Sequence, residues 1–171
     1  MGILYFGYGS NLCTQRLEAR VSGVTLVTRA WLNGYELRWN KRGKDGSGKC
    51  SISVSEQSDT VVHGAVFSLS DDQKGRLDRV EGVGFGYNEI GVVVESGDGP
   101  RSAVTYIARA AHIDDSLGPY RWYRDLVISG AEALLLPADY IDGLRGVVGH
   151  DDPDPEREAR NRRVLPCRGS A

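Results

Sequence analysis

The stretch Ile3-Leu4-Tyr5-Phe6-Gly7-Tyr8-Gly9-Ser10-Asn11-Leu12 carries an apolar segment that runs directly into a glycine turn. We interpret residues 3–8 as a buried first strand, and Asn11 as the cap of a short helix that follows the turn. Glycines let a backbone bend sharply and expose consecutive N–H groups, so this turn is able to hold a carboxylate or a developing oxyanion. The alternative is a turn that serves the fold alone, because glycines are common wherever a strand reverses.

The rest of the chain alternates short apolar runs with turn residues. Strands are predicted at 24–31, 34–40, 51–56, 61–69, 87–95 and 101–108, the last two forming a hairpin. Ser70-Asp71-Asp72-Gln73 matches a capping box that starts a helix ending at Gly82. Two further helices are predicted at 120–129, ending at Gly130, and at 137–144, whereas residues 41–49 form a loop by composition. Clustered strands favour an antiparallel or mixed sheet over a doubly wound parallel one.

The second candidate for chemistry is the carboxylate of Glu81, within Leu77-Asp78-Arg79-Val80-Glu81-Gly82-Val83. The residue is predicted at the end of a helix, where its apolar neighbours indicate partial burial. A glycine-rich segment follows directly and is able to approach a ligand closely. A partly buried carboxylate beside exposed N–H groups is suited to take and return a proton. A solvated surface carboxylate is the alternative.

Other polar side chains give weaker signals. Tyr106, in the strand after the hairpin turn, is either a half-buried aromatic or a phenol that hydrogen-bonds a substrate. The three histidines are scattered without metal-ligand spacing, so no metal site is expected. Cys13, Cys50 and Cys167 show no C-x-x-C spacing, which suits a reducing compartment without a disulfide. Cys13 is interpreted as a buried structural residue in preference to a reactive thiolate.

Length and charge exclude several classes of protein. The 171 residues carry a net charge of −2, which gives no field to attract nucleic acid or an anionic membrane. No apolar run reaches the roughly 18 residues of a membrane span, and the N-terminus lacks a basic leader, so a cytoplasmic protein is expected. Residues 1–149 are assigned to one catalytic domain and residues 150–171 to a charged C-terminal tail. The oligomeric state is not readable from the sequence, and a homodimer stays open.

The two motifs together resemble those of a known family. Tyr5-Phe6-Gly7-Tyr8-Gly9-Ser10-Asn11-Leu12 resembles the opening signature of the γ-glutamylcyclotransferase (AIG2-like) family, and residues 77–83 are similar to the segment that holds its catalytic glutamate. Residues 123–131 and 136–140 are similar to its C-terminal helical region. The resemblance covers residues 3 to 145, and it is specific because the turn and the glutamate occur together.

The resemblance implies an α+β fold: a small mixed, mostly antiparallel β-barrel flanked by helices, with a pocket at the barrel mouth. It also implies release of 5-oxoproline from γ-glutamyl compounds without metal or coenzyme. Glu81 then takes the acid–base role, and the substrate-binding residues are Tyr5, Phe6, Gly7, Tyr8, Gly9, Ser10 and Tyr106. The Ser-Asn pair after the glycines favours the branch that acts on γ-glutamyl amino acids over the glutathione-specific branch.

Three alternatives stay open at this point. A cyclotransferase for γ-glutamylated amines, for instance one that removes a γ-glutamyl protecting group in a biosynthetic pathway, would use the same chemistry with another leaving group. A non-catalytic module that keeps the pocket for a small molecule or an interaction is the second. A nucleotide-binding protein built on the glycine turn is the third, and no Walker-type lysine follows the turn to support it.

Overall fold

Five of seven strands close into a barrel in the computed structural model, which describes residues 2–57 and 59–167. The strands are β1 (Ile3–Gly7), β2 (Thr25–Asn33), β3 (Tyr35–Arg42), β4 (Gly48–Val54), β5 (Val61–Leu69), β6 (Tyr87–Ser96) and β7 (Arg101–Ala108). The barrel has the order β1-β5-β2-β6-β7, in which β1 and β7 pair in parallel and the other neighbours pair antiparallel. β3 and β4 form a separate antiparallel hairpin. The predicted mixed, mostly antiparallel barrel is confirmed.

Helices flank the barrel and dominate the last third of the chain. They are α1 (Thr14–Arg20), α2 (Asp71–Glu81), α3 (Arg121–Ala133), α4 (Ala138–Arg145) and α5 (Pro155–Arg162), with 3₁₀ turns at Ser10–Leu12 and Ala110–His112. The core joins strand and helix side chains, and its largest fully buried members include Phe6, Phe67, Ile52, Leu77 and Leu126. Complete burial of such a side chain stabilises the fold by about 1.5–3 kcal/mol. Within the described residues, no helix is long and apolar enough to cross a membrane.

Helix α2 begins and ends where its sequence predicts. Ser70 Oγ accepts a hydrogen bond from the Gln73 N–H at 3.2 Å, and the Ser70 N–H donates to the Gln73 side chain at 2.8 Å. These two bonds complete the capping box and satisfy donors that the first turn leaves free. The helix is ended by Gly82, so that Glu81 is its last residue. The end of α2 therefore fixes the position of the Glu81 carboxylate.

The segment after β1 differs from its prediction. The chain forms the 3₁₀ turn Ser10–Leu12 first, and α1 begins only at Thr14 with Cys13 as its N-cap residue. The expectation that Asn11 caps this helix is wrong, because the Asn11 side chain is engaged by partners on other elements. This arrangement places Asn11 at the centre of the site described below.

Helix α3 continues past the residue that is predicted to end it. Gly130 lies inside α3, which runs to Ala133. A Cβ atom at Gly130 would come within 2.5 Å of the backbone nitrogen of Cys13. A glycine is needed at this position because it lets α3 lie directly against the 3₁₀ turn. The glycine thus marks a close contact between elements and not a helix end.

The predicted loop at residues 41–49 is shorter in the structure. β3 and β4 extend into it from both sides and leave residues 43–47 as the turn. Lys49 pairs with Asp45 at 2.7 Å, and its ammonium lies 4.6 Å from the ring centroid of Tyr123 on α3. Such cation–π contacts attach the hairpin to α3. The glycine- and lysine-rich composition of this segment does not predict that β3 and β4 extend into it, nor that Lys49 attaches it to α3.

The segment after residue 149 packs against the domain as far as it is described. The Trp122 Nε1–H donates to the buried Asp152 carboxylate at 2.7 Å, and Arg157 of α5 pairs with the same carboxylate.

Cys13 and Cys167 form a disulfide. The expectation of a chain without a disulfide is therefore wrong, because the tail returns to the start of α1. The cytoplasmic location and the division at residue 149 stay predictions, and residues 168–171 lie outside the described residues.

Candidate active site

A cavity lies where β1 ends, and most of the predicted site residues line it. Its lining combines the turn after β1, the end of α2 and a set of tyrosines: Tyr5, Tyr8, Gly9, Ser10, Asn11, Cys50, Glu81, Tyr87, Tyr106 and Tyr123. The space inside measures about 30 Å³, which is narrow, since one water needs about 10–15 Å³ by the same measure. The fold thus joins the glycine turn with Glu81, although Asn11 and Glu81 are 70 positions apart.

Two donors hold the carboxylate of Glu81. Asn11 Nδ2 lies 3.0 Å and Arg20 Nη1 3.1 Å from the same oxygen, Oε1. The Glu81 side chain is only 16% exposed, so the contact with Arg20 is a largely buried ion pair. The second oxygen, Oε2, has no hydrogen-bond partner within residues 2–57 and 59–167. Oε2 is therefore the oxygen that a ligand proton can reach without breaking an existing bond.

Asn11 links the polar side chains of the site. Besides Glu81, its amide nitrogen donates to Tyr5 Oη at 3.0 Å, and its amide oxygen accepts from Arg20 Nη1 at 2.8 Å. Burial and, to a smaller extent, the charge of Glu81 raise the pKa of Tyr5 well above its usual value. The Tyr5 phenol is therefore neutral at physiological pH. Its proton meets no acceptor in the described part of the chain, so it can be donated to a ligand.

The turn itself supplies backbone donors to the cavity. The N–H groups of Gly9 and Ser10 make no hydrogen bond to any residue that the structure describes, as is usual at the start of a helical turn. The Ser10 hydroxyl is occupied, since it accepts from Arg16 Nε at 3.2 Å. A Cβ atom at Gly9 would lie 3.0 Å from the Cβ of Cys50, so β4 packs directly against the turn. Two neighbouring N–H groups of this kind are suited to an anion.

Tyr106 lines the cavity with its ring, but its hydroxyl has another partner. The ring centroid lies 5.4 Å from that of Tyr5, and the hydroxyl donates to Asp78 Oδ1 at 2.7 Å. Burial and the contact with Asp78 raise the pKa of Tyr106 far above its usual value. Asp78 in turn pairs with Lys74, which also contacts Glu89. The predicted hydrogen bond from this phenol to a substrate stays a prediction, because the phenol here ties β7 to α2.

Two of the predicted substrate-binding residues lie away from the lining. Phe6 is fully buried in the core, on the other side of the strand from Tyr5, because side chains alternate along a strand. Gly7 is the last residue of β1 and pairs with Ala65 of β5. The structure therefore brings Tyr5, Tyr8, Gly9, Ser10 and Tyr106 together with Glu81, but not Phe6 or Gly7.

Several residues that line the cavity were not predicted from the sequence to belong to the site. The Tyr87 hydroxyl donates to the carbonyl of Cys50 at 2.7 Å, and the Cys50 N–H donates to Tyr123 Oη at 3.0 Å. Burial raises the pKa of Cys50 to about 12, so the side chain stays a neutral thiol. Arg20 was missed as well, and no local pattern marks a residue whose partner lies on another helix. No cluster of three or more His, Cys, Asp or Glu side chains suited to a metal ion occurs in the described residues.

Known proteins similar to this chain include several γ-glutamylcyclotransferases. The AIG2-like family model matches residues 61–144. A γ-glutamylcyclotransferase of Bos taurus is 29% identical over 152 residues, which cover 86% of this chain and 80% of the relative. A γ-glutamylcyclotransferase of Homo sapiens is 29% identical over 154 residues with the same coverage. A solved structure named γ-glutamyl cyclotransferase has a TM-score of 0.83, with 24% identity, over 95% of this chain and 99% of its own.

The structural likeness shows the fold, and the sequence matches agree with the resemblance seen in the two motifs. The region matched by the family model runs from β5 into α4 and includes Glu81 and Tyr106, whereas the glycine turn lies before it. The predicted resemblance is confirmed: this chain is similar to γ-glutamylcyclotransferases over most of its length and carries an AIG2-like region at residues 61–144.

Proposed function

We propose that this protein is a cyclotransferase that releases 5-oxoproline from γ-glutamyl amino acids. The observation that supports it best is that one cavity holds the Glu81 carboxylate and the N–H groups of Gly9 and Ser10, which make no hydrogen bond within the described residues. The curated relatives, which are named γ-glutamylcyclotransferase, support the same reaction.

The reaction is an acyl transfer within the substrate. The α-amine attacks the γ-amide carbonyl carbon, a carbon–nitrogen bond closes the five-membered lactam, and the bond to the leaving amine breaks. The α-ammonium loses one proton before it attacks and a second as the bond to the leaving amine breaks, and the leaving nitrogen takes up both to become an ammonium at neutral pH. The nucleophile is part of the substrate, so the protein supplies none. The protein must fold the glutamyl chain back on itself, and ideal positioning of this kind contributes at most about 7–11 kcal/mol.

Glu81 carries the proton between the two nitrogens. A free α-amino group has a pKa of roughly 7.7–8.0 and is mostly an ammonium at neutral pH, so it must be deprotonated before it attacks. Arg20 and Asn11 occupy Oε1, which leaves Oε2 to accept each proton from the attacking nitrogen in turn and to pass it to the leaving amine. A well-placed general base contributes about 10²–10⁴-fold to the rate.

The donors around the turn hold a negative charge. The substrate presents two anions, its α-carboxylate and the oxyanion that develops on the attacked carbonyl. The N–H groups of Gly9 and Ser10 suit either of them, and the Tyr5 hydroxyl offers a further donor. A donor that faces the oxyanion contributes about 3 kcal/mol to catalysis.

The cavity is small for a whole glutamyl group. Its volume is about 30 Å³ and its lining is dominated by tyrosine rings. We infer that substrate binding uses the open mouth of the cavity together with a shift of lining side chains. The leaving amino acid would then remain near the mouth, where it meets residues outside the lining.

The substitution Glu81→Gln tests the proposal. We expect the variant to release no 5-oxoproline from γ-glutamyl-alanine above background, because the amide cannot act as a base of comparable strength. Calorimetry should still show binding of the intact substrate, since the amide keeps the shape of the carboxylate. The matched control is Glu156→Gln on the exposed face of α5, where the side chain is 89% exposed.

Two outcomes would contradict the proposal in different ways. Full turnover in Glu81→Gln would refute the role of Glu81. An unmodified protein that binds γ-glutamyl-alanine without releasing 5-oxoproline would instead favour a non-catalytic binding module.

A further inference from the structure

We propose that Lys41 binds the carboxylate of the leaving amino acid, which makes the site selective for γ-glutamyl amino acids over γ-glutamyl amines. The inference rests on the proposed cyclotransferase function and specifies its substrate class. Lys41 would be a specificity-determining residue and would take no part in proton transfer.

The position of Lys41 places its charge beside the lining. Lys41 lies near the end of β3, and its ammonium is 4.7 Å from the ring centroid of Tyr87, which lines the cavity. The backbone of Lys41 bridges to Ile113, so the base of its side chain is held between two elements. Burial lowers the pKa of Lys41, while the charge of Glu81 acts to raise it. The Lys41 ammonium therefore lies near enough to Glu81 to be affected by its charge.

The ammonium of Lys41 lacks a carboxylate partner in the part of the chain that the structure describes. Other cations near the site have one: Arg20 pairs with Glu81 at 3.1 Å, and Lys49 pairs with Asp45 at 2.7 Å. Arg16 has none either, but its guanidinium is held by the neutral side chains of Ser10 and Asn161. A half-buried cation without a partner is costly in the free protein and gains most when a ligand supplies the anion.

The two substrate classes differ in charge by one carboxylate. A γ-glutamyl amino acid carries an ammonium and two carboxylates, whereas a γ-glutamyl amine lacks the second carboxylate. Glu81 faces the ammonium, and the N–H groups of Gly9 and Ser10 serve one anion. The carboxylate of the leaving group needs a further cation, and Lys41, next to Tyr87, has no carboxylate partner among the described residues.

The experiment compares two donors that differ only in that carboxylate. γ-Glutamyl-alanine and γ-glutamyl-ethylamine have the same carbon skeleton apart from the carboxyl group of alanine. We expect Lys41→Met to lower kcat/KM for γ-glutamyl-alanine about tenfold or more, mainly through KM, and to change it less than twofold for γ-glutamyl-ethylamine; tenfold corresponds to about 1.4 kcal/mol. Lys41→Arg should retain most of the selectivity because it keeps the charge.

Lys44→Met is the matched control, since it removes the same charge from the exposed turn of the same hairpin. We expect it to leave the selectivity between the two donors unchanged. Equal losses on both donors in Lys41→Met, or no loss on either, would overturn the inference.

Binding to Glu81→Gln separates this inference from the proposed function. Calorimetry with intact γ-glutamyl-alanine should show about tenfold weaker binding when Lys41→Met is added to that variant. If the unmodified protein releases no 5-oxoproline but this difference in binding appears, the cyclotransferase proposal fails and the role of Lys41 stands. If turnover is present and the difference is absent, the role of Lys41 fails alone.

Discussion

Arg20 Nη1 lies 3.1 Å from Glu81 Oε1, and these two residues are the last residues of α1 and α2. The same guanidinium nitrogen also donates to the amide oxygen of Asn11, and the amide nitrogen of Asn11 donates to Glu81. The carboxylate is therefore fixed from two directions by a closed set of three side chains. In the role of a base that we propose for Glu81, Oε1 is held by the protein and Oε2 is left to exchange protons with the substrate.

Replacing Arg20 should impair turnover while the fold persists. We expect Arg20→Met to lower kcat at least about tenfold, because a misplacement of about 1 Å in a catalytic group can cost 10²-fold. Arg20→Lys should recover part of the loss, since it restores the charge without the second donor. Steady-state kinetics with a thermal melt of each variant measures both effects. A variant Arg20→Met with unchanged kcat would show that Asn11 alone positions the carboxylate.

Two tyrosine substitutions should show which phenol contacts the substrate. Tyr5→Phe removes a hydroxyl whose proton meets no acceptor within the described residues, so we expect lower turnover. Because that hydroxyl also accepts from Asn11 Nδ2 at 3.0 Å, the free energy of unfolding should fall by about 1 kcal/mol. Tyr106→Phe removes the bond to Asp78 and should lower the free energy of unfolding by about 1 kcal/mol. Its effect on turnover should be smaller than that of Tyr5→Phe. Urea unfolding and 5-oxoproline release, measured on both variants, provide the test, and the reverse order of effects would restore Tyr106 as the substrate-contacting phenol.

The disulfide gives a prediction about thiol content and stability. Without reductant, denatured protein should show one reactive thiol, that of Cys50, and after reduction it should show three. The disulfide closes a loop in the unfolded chain, and reduction opens it and gives that chain more conformational freedom. The free energy of unfolding should therefore fall by up to about 5 kcal/mol for a loop of this length. Thiol titration and urea unfolding with and without reductant measure these changes. Three reactive thiols before reduction would contradict the bond between Cys13 and Cys167.

Asp152 should make stability dependent on pH at the acidic end. Burial acts to raise its pKa, but hydrogen bonds from Arg157, the Asp154 N–H and Trp122 outweigh it and lower the pKa to about 2. The unfolded value is about 3.9, so this carboxylate stabilises the fold above about pH 4 and loses that effect as the pH falls toward 2.

Asp152→Asn should therefore be less stable than the unmodified protein at pH 7, and the difference should shrink between about pH 4 and pH 2. Urea unfolding at several pH values measures it. Asp151→Asn, at a neighbouring carboxylate with 78% exposure, serves as the control. A difference that stays constant down to pH 2 would exclude the titration of Asp152 as its source.

The parts of the fold that depend on local pattern were predictable. The strand at 61–69 matches β5 residue for residue, and the capping box at Ser70 together with Gly82 sets both ends of α2. The pattern also singled out Glu81 and the glycine turn, because each lies at an element boundary with its own signature. Periodicity and capping act over a few residues, and such signals survive in the sequence alone.

The parts that depend on distant contacts were not predictable. The pairing of Arg20 with Glu81 spans 61 positions, and the disulfide spans 154. The local context of Asn11 predicts a helix cap, but its side chain instead bonds to Tyr5 and Glu81 on other elements. Gly130 reads as a helix end for the same reason. In each case a contact between elements outweighs the local preference.

The closure of the barrel has a consequence for how the protein is made. β1 pairs with β5 on one side and with β7 on the other, so its second neighbour is synthesised only at residues 101–108. A nascent or interrupted chain that ends before this point leaves one side of β1 with unsatisfied backbone groups, which invite pairing with other chains. Fragments that end before residue 108 should therefore aggregate when they are expressed. A nascent chain released from the ribosome should be soluble only if β7 has already left the exit tunnel.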